Sequence, residues 1–266
     1  MLRLTLLAAG LAALALIGAP ARAQSDIGVV LMHGKQSFPG QPPGLLQLAD
    51  RLRELGVKVL TPQMPWSTGR WEHIDVSVEQ VYAQIDGYVA QLKAQGARRI
   101  VMAGHSLGGN MALSYAVARG DVAGVVMLSP GHAPGFFYAR SSSFRDALGK
   151  AHAMVEAGQG GQPFSGPDDN QGNEFTVSTT AAIYLSWMSP RGQASMPQQA
   201  PLLSAATPVM VVMGKSEKAL SNTESAIYKP AGKNSYSVFL AVSGDHRSAT
   251  EAATIDVVDW IKNLPQ

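Results

Sequence analysis

The pentapeptide Gly104-His105-Ser106-Leu107-Gly108 is the segment of this chain whose residue types and spacing point most directly to chemistry. It fits the pattern Gly-x-Ser-x-Gly, and its flanks sharpen the match. Arg99 to Ala103 reads as a strand directly before it, and Gly108 to Ala118 as a helix directly after. A tight strand-to-helix turn holds its central serine strained and exposed, and flanking glycines let the backbone pass without Cβ clashes. The plainer reading is a glycine-rich turn with an incidental serine.

A serine hydroxyl is a poor nucleophile unless a base takes its proton. The chain has six histidines. His105 adjoins the serine, where the turn aims it elsewhere, and His33 ends the first strand in a His-Gly turn. His73, His132 and His152 fall in loops or in a long interruption of the pattern, where surface and packing roles are commoner. His246 differs. It stands in Ser243-Gly244-Asp245-His246-Arg247, between the last strand and the last helix, and active sites of parallel sheets form at the carboxyl ends of strands. The base in turn needs an acid to orient its imidazole. The strand Val209 to Met213 runs into Gly214-Lys215-Ser216-Glu217, which puts Glu217 at another such edge. Glu224, in the helix that follows, is the second candidate, and Asp245 projects away from its neighbour His246. A solvated surface glutamate is the plainer reading of Glu217.

The elements that must position these residues follow from hydrophobic periodicity. Ile27 to Met32 is a continuous apolar run of the kind a doubly covered strand needs. Leu45, Leu48, Ala49, Leu52 and Leu55 recur at helical spacing before Gly56, and Val57 to Leu60 is a short second strand. An amphipathic helix spans Asp75 to Gln95, a strand Ile100 to Ala103, a helix Leu107 to Ala118 and a strand Val122 to Leu128. This alternation argues for an α/β fold with parallel strands joined by helical crossovers. It breaks between about residues 130 and 207, too long a stretch for a plain connection. There the pattern supports a helix at Phe144 to Ala157, a loop from Gly158 to Asn173 and a helix at Thr179 to Trp187, together a small cap inserted over one face. Strands at Val209 to Met213 and Tyr236 to Val242, a short helix at Asn222 to Tyr228 and a last helix from Thr250 to Leu264 complete the series. Within the loops and cap, Trp66, Trp71, Phe136, Phe137, Tyr184 and Trp187 either line a substrate pocket or pack the cap onto the core. The acidic cluster Asp168, Asp169 and Glu174 follows no known calcium-loop spacing and reads as a solvated loop.

Composition bounds the rest. The 266 residues are 46% hydrophobic and 15% charged, which excludes a mostly disordered chain. The absence of cysteine excludes disulfides, a thiol nucleophile and Cys-ligated metals. Met1-Leu2-Arg3, the apolar run Leu4 to Gly18 and Ala19-Pro20-Ala21-Arg22-Ala23 match the three regions of a secretory signal peptide spanning residues 1–23. An uncleaved anchor is the alternative, although the run is shorter than the ~20 residues of a membrane span. Cleavage after Ala23 removes Arg3 and Arg22 from 21 basic residues and none of the 19 acidic ones, so the net charge of +2 belongs to the precursor. The balanced mature chain offers no basic patch for nucleic acid. The expectation is one exported domain, residues 24–266, periplasmic or secreted, with no later membrane span.

Ser106, Glu217 and His246, in that order along the chain, resemble the triad of the α/β-hydrolase superfamily, and of its esterase- and lipase-like secreted bacterial members. The resemblance runs from about Ile27 to Leu264. It implies a mostly parallel sheet of about six strands, with helices on both faces, a small helical cap and no room for the family's first two strands. It further implies an oxyanion hole built from the backbone N–H of Leu107 and that of Lys35 or its neighbour, since His33-Gly34 looks like the family's His-Gly turn. The chain departs from the pattern in having Glu where Asp is commoner, and Lys after His-Gly where an apolar residue is frequent. The activity implied is hydrolysis of a small-molecule carboxylic ester or thioester through an acyl-enzyme, without cofactor or metal. An amide or lactone hydrolase, and a catalytically inactive binding protein of the cell envelope, are the alternatives.

Overall fold

The computed structural model describes residues 25–37 and 43–265. The stretch read as a signal peptide, residues 1–23, lies outside the described residues. β1 (Ile27–Met32) leads through α1 (Pro43–Glu54) to β2 (Lys58–Leu60), followed by a 3-10 turn (Trp71–His73), α2 (Val78–Ala94), β3 (Arg99–His105), α3 (Leu107–Arg119) and β4 (Gly124–Leu128). Between β4 and the next strand of the main sheet come α4 (Pro134–Arg140), α5 (Ser142–Glu156), β5 (Pro163–Asn170), β6 (Asn173–Thr180), α6 (Ala181–Met188) and α7 (Met196–Gln199). β7 (Val209–Gly214) then passes through α8 (Leu220–Thr223), a π-helical stretch (Glu224–Tyr228) and α9 (Lys229–Ala231) to β8 (Val238–Val242). The described chain closes with α10 (Ala249–Ala252) and α11 (Thr254–Lys262), where the sequence pattern suggested one unbroken helix.

The main sheet has six strands in the order β2-β1-β3-β4-β7-β8, and every pairing is parallel. Successive side chains on a strand face opposite sides, so each continuous apolar run feeds two cores. Val30, Met32, Met102, Val125, Met127, Val209 and Val211 pack with α2, α3 and the inserted segment. Val29, Leu31, Val101, Ala103, Val126, Leu128, Met210 and Val212 pack with α1, α10 and α11 on the other face. Helix ends carry their expected stops: Ser77 and Gln80 form a capping box at the start of α2, and Gly120 ends α3 at φ +72°.

The insertion departs from expectation in one respect that matters for the site. Its glycine-, proline- and aspartate-rich stretch, read as a loop, forms the antiparallel hairpin β5–β6, paired from Pro163↔Thr180 to Asn170↔Asn173. Gln171 and Gly172, at φ +57° and +85°, turn it, and the Asp169 carboxylate accepts the Gly172 N–H at 2.9 Å. Period-2 alternation buries Phe164, Gly166 and Asp168 on the inward face. An isolated two-stranded hairpin has only edges, which is why it tolerates Pro163 and Pro167. Of the aromatic residues, Trp66, Trp71, Tyr184 and Trp187 are buried packing residues, and Phe136 is 57% exposed.

Candidate active site

Strand order sets where loops can meet. The chain moves from β1 outward to β2 and then returns to β3 on the other side of β1. The loops leaving β1 and β3 therefore lie side by side at the carboxyl edge, the place where open parallel sheets form a crevice. Ser106 occupies the β3–α3 turn at φ 54° and ψ −119°, a conformation that strains a non-glycine residue. The flanking glycines are sterically required: a Cβ on Gly104 would stand 2.3 Å from the Gly108 backbone, and one on Gly108 2.4 Å from the Met32 carbonyl oxygen.

Two neighbouring loops press on the serine. A Cβ added at Gly34 would lie 3.1 Å from the Ser106 Cβ, and one at Gly131 only 2.6 Å from its Oγ. The backbone N–H groups of Leu107 and Lys35, both in buried residues, donate no hydrogen bond among the described residues. Buried amides without partners are uncommon. Here one belongs to the first residue of α3, directly after Ser106, and the other to the loop after β1.

Farther along the same carboxyl edge, β7 leads to Glu217 and β8 to His246. His246 Nδ1 lies 3.0 Å from Glu217 Oε2. A carboxylate only accepts, so Nδ1 carries the proton and Nε2 keeps the lone pair that a base needs. Glu217 Oε1 accepts from the Ser129 hydroxyl at 2.6 Å and from the Gly214 amide at 2.7 Å. Burial by itself pushes the Glu217 carboxyl up, but hydrogen bonds from His246, Ser129 and Gly214 outweigh it and hold the group below the usual glutamate range. His105 donates from Nε2 to the His246 carbonyl at 2.7 Å, and the two rings lie 4.8 Å apart. Burial, with the charge of His246 next in weight, pushes the His105 imidazole down to about 4.

The remaining candidates are placed elsewhere. Glu224 sits in the π-helical stretch, half-exposed, 3.7 Å from Lys229. Asp245 is exposed and caps its own turn through the Arg247 and Ser248 amides. His33 is buried, its Nε2 accepting the Met64 amide at 3.0 Å. His73 and His152 are exposed. Asp168 corrects the sequence reading: it is 1% exposed and lies 2.5 Å from Lys35 Nζ. Ser129 was not singled out from the sequence. Its one signal is its place directly after β4 at the same carboxyl edge.

A strained serine between strand and helix, with a carboxylate-held histidine delivered by later strands, defines a hydrolase-type arrangement. The chain belongs to the alpha/beta hydrolase family, whose model matches residues 29–260. A search of curated protein sequences finds no match. Among solved structures the chain resembles a thermostable carboxyl esterase from Bacillus coagulans at TM-score 0.61 and 13% identity, covering 91% of each chain. It also resembles a monoacylglycerol lipase from Paleococcus ferrophilus at TM-score 0.59 and 18% identity, covering 90% of this chain and 95% of that one. A thioesterase domain from the curacin biosynthetic pathway matches at TM-score 0.51 and 17% identity, covering 90% and 92%. Identities this low speak to the fold.

Proposed function

We propose that this chain is a serine hydrolase that cleaves a carboxylic ester or thioester of a small to medium acyl group through an acyl-enzyme on Ser106. The observation that carries the reading is the His246–Glu217 pair at 3.0 Å, on the same strand-end edge as a serine strained to φ 54°. In this mechanism the Ser106 oxygen attacks the carbonyl carbon while His246 Nε2 takes its proton, and Glu217 stabilises the imidazolium that forms. The Leu107 and Lys35 amides receive the developing oxyanion, an interaction whose loss typically costs about 3–4 kcal/mol of transition-state stabilisation. His246 returns its proton to the leaving group, and water then releases the acyl group by the same steps. The basic, apolar and Ala-x-Ala segments of residues 1–23 support export, with Gln24 as the first mature residue.

Labelling with a fluorophosphonate probe, wild type beside Ser106→Ala, tests the reading. We expect labelling of wild type that vanishes in the variant, with hydrolysis of p-nitrophenyl esters falling at least about 1,000-fold. A well-folded wild type that takes no label would instead favour the non-catalytic binding protein.

A further inference from the structure

We propose that Asp168 is a positioning residue for this reaction, its carboxylate anchoring Lys35 so that the loop after β1 keeps its amide beside Ser106. The inference rests on the serine-hydrolase reading and deepens it. The loop after β1 leaves the sheet at Met32, so contacts from elsewhere must hold it over Ser106. Gln36 lies at φ +56°, strained for a residue with a side chain. The loop after β2 supplies part of the hold, Trp66 Nε1–H donating to the His33 carbonyl at 2.8 Å and the Gln36 amide to the Trp66 carbonyl at 2.7 Å, and the insertion supplies the part that reaches Lys35. Lys35 Nζ donates to Asp168 Oδ2 at 2.5 Å and to the Asp169 carbonyl at 3.0 Å, and Trp71 Nε1–H donates to the same Oδ2 at 2.7 Å. One residue along, Asn170 Nδ2–H donates to Gln36 Oε1 at 2.9 Å.

The second carboxylate oxygen faces the opposite wall of the crevice. Asp168 Oδ1 lies 3.9 Å from His132 Nδ1, and His132 follows Gly131, the residue that rests on the Ser106 hydroxyl. One carboxylate on the inserted hairpin thus adjoins both loops that press on the serine. Energetics favour a geometric role over a stabilising one. The Lys35 and Asp168 side chains are 3% and 0% exposed, and replacing a buried ion pair with apolar residues is often neutral or stabilising. A pair of this kind contributes a defined geometry where an apolar contact would allow sliding.

The test compares wild type, Asp168→Asn, Asp168→Glu and the apolar double variant Lys35→Met/Asp168→Leu. Each is assayed for kcat and KM on p-nitrophenyl butyrate, for hydrogen exchange at residues 33–37 and for Tm. We expect kcat to fall about 100-fold in Asp168→Asn, the scale of a roughly 1 Å misplacement. KM should stay within about threefold, because the lost interaction belongs to the transition state. Exchange at residues 33–37 should quicken, Asp168→Glu should recover part of kcat, and the double variant should recover Tm without kcat. A labelled wild type alongside an Asp168→Asn variant of unchanged kcat overturns this inference alone. So does a double variant that recovers both Tm and kcat. A wild type that takes no fluorophosphonate label overturns the hydrolase reading and this inference together.

Discussion

Glu217 is the residue on which the proposed site turns, because two glutamates lie between β7 and β8 and only one meets His246. Its Oε2 lies 3.0 Å from His246 Nδ1, and its Oε1 is held by Ser129 and the Gly214 amide. A glutamine in its place keeps the volume but presents an amide N–H₂ or a neutral carbonyl to His246, which loses the orienting charge. Removing the charge of a triad acid in this way can cost about 10⁴-fold in kcat. We therefore expect Glu217→Gln to lower kcat by about three to four orders of magnitude. Glu224→Gln, whose carboxylate lies 3.7 Å from the exposed Lys229, should stay within about twofold, as surface changes usually do. Steady-state kinetics on one chromogenic ester decides between them. Equal losses in both variants would remove Glu217 from its proposed role.

The element that most changes the picture of this protein is the β5–β6 hairpin. Its inward face carries Asp168 into contact with Lys35 and Trp71. Burial pushes the Asp168 carboxyl up, but the Lys35 ammonium, His132 and the hydrogen bonds from Lys35 and Trp71 outweigh that and hold it below the usual aspartate range. The carboxylate is thus charged in the interior and depends on its partner. Lys35→Met leaves it there uncompensated, an arrangement that costs about 3–5 kcal/mol. Urea unfolding followed by circular dichroism should show that loss. Lys35→Met/Asp168→Leu should regain most of it. A single variant as stable as wild type would show that water reaches Asp168.

At the scale of the whole molecule, two buried histidines link folding to pH. Burial, followed by the charges of His246 for His105 and of Lys35 for His132, lowers each imidazole to about 4 from an ordinary 6.5. Between those values the unfolded chain binds more protons than the folded one, so stability rises with pH. Their contribution is complete above about pH 6.5 and is lost as pH falls toward 4. Each proton sets a slope of up to about 1.4 kcal/mol per pH unit. Glu217 and Asp168, both held low, extend the loss into the carboxylate range. A thermal-melt series should show Tm dropping below pH 6.5. The drop should be shallower in His105→Gln, which keeps a donor for the His246 carbonyl. A Tm that is level from pH 7.5 to 4.5 would show that neither ring is buried uncharged.

Most of the α/β framework could be read directly from residue order. Continuous apolar runs such as Ile27–Met32 and Val209–Met213 belong to strands covered on both faces, and the glycine at 104 is demanded by the Gly108 backbone four residues on. These signals are local, carried by neighbours in the chain, and so survive in a linear reading. The hairpin was hidden because Pro163-Phe164-Ser165-Gly166-Pro167-Asp168-Asp169-Asn170 has no apolar alternation. Its inward face is filled by Phe164, by a glycine under the Tyr184 ring and by a carboxylate. Asp168 looks like a solvated loop residue until Lys35, 133 positions earlier, is brought against it. Ser129 is inconspicuous until Glu217, 88 positions later, arrives at its hydroxyl. Periodicity reports which face of an element is buried. Which buried polar group meets which is settled only when strand order carries distant loops to one edge, because those pairings depend on separation in space and leave no mark on the spacing of either partner.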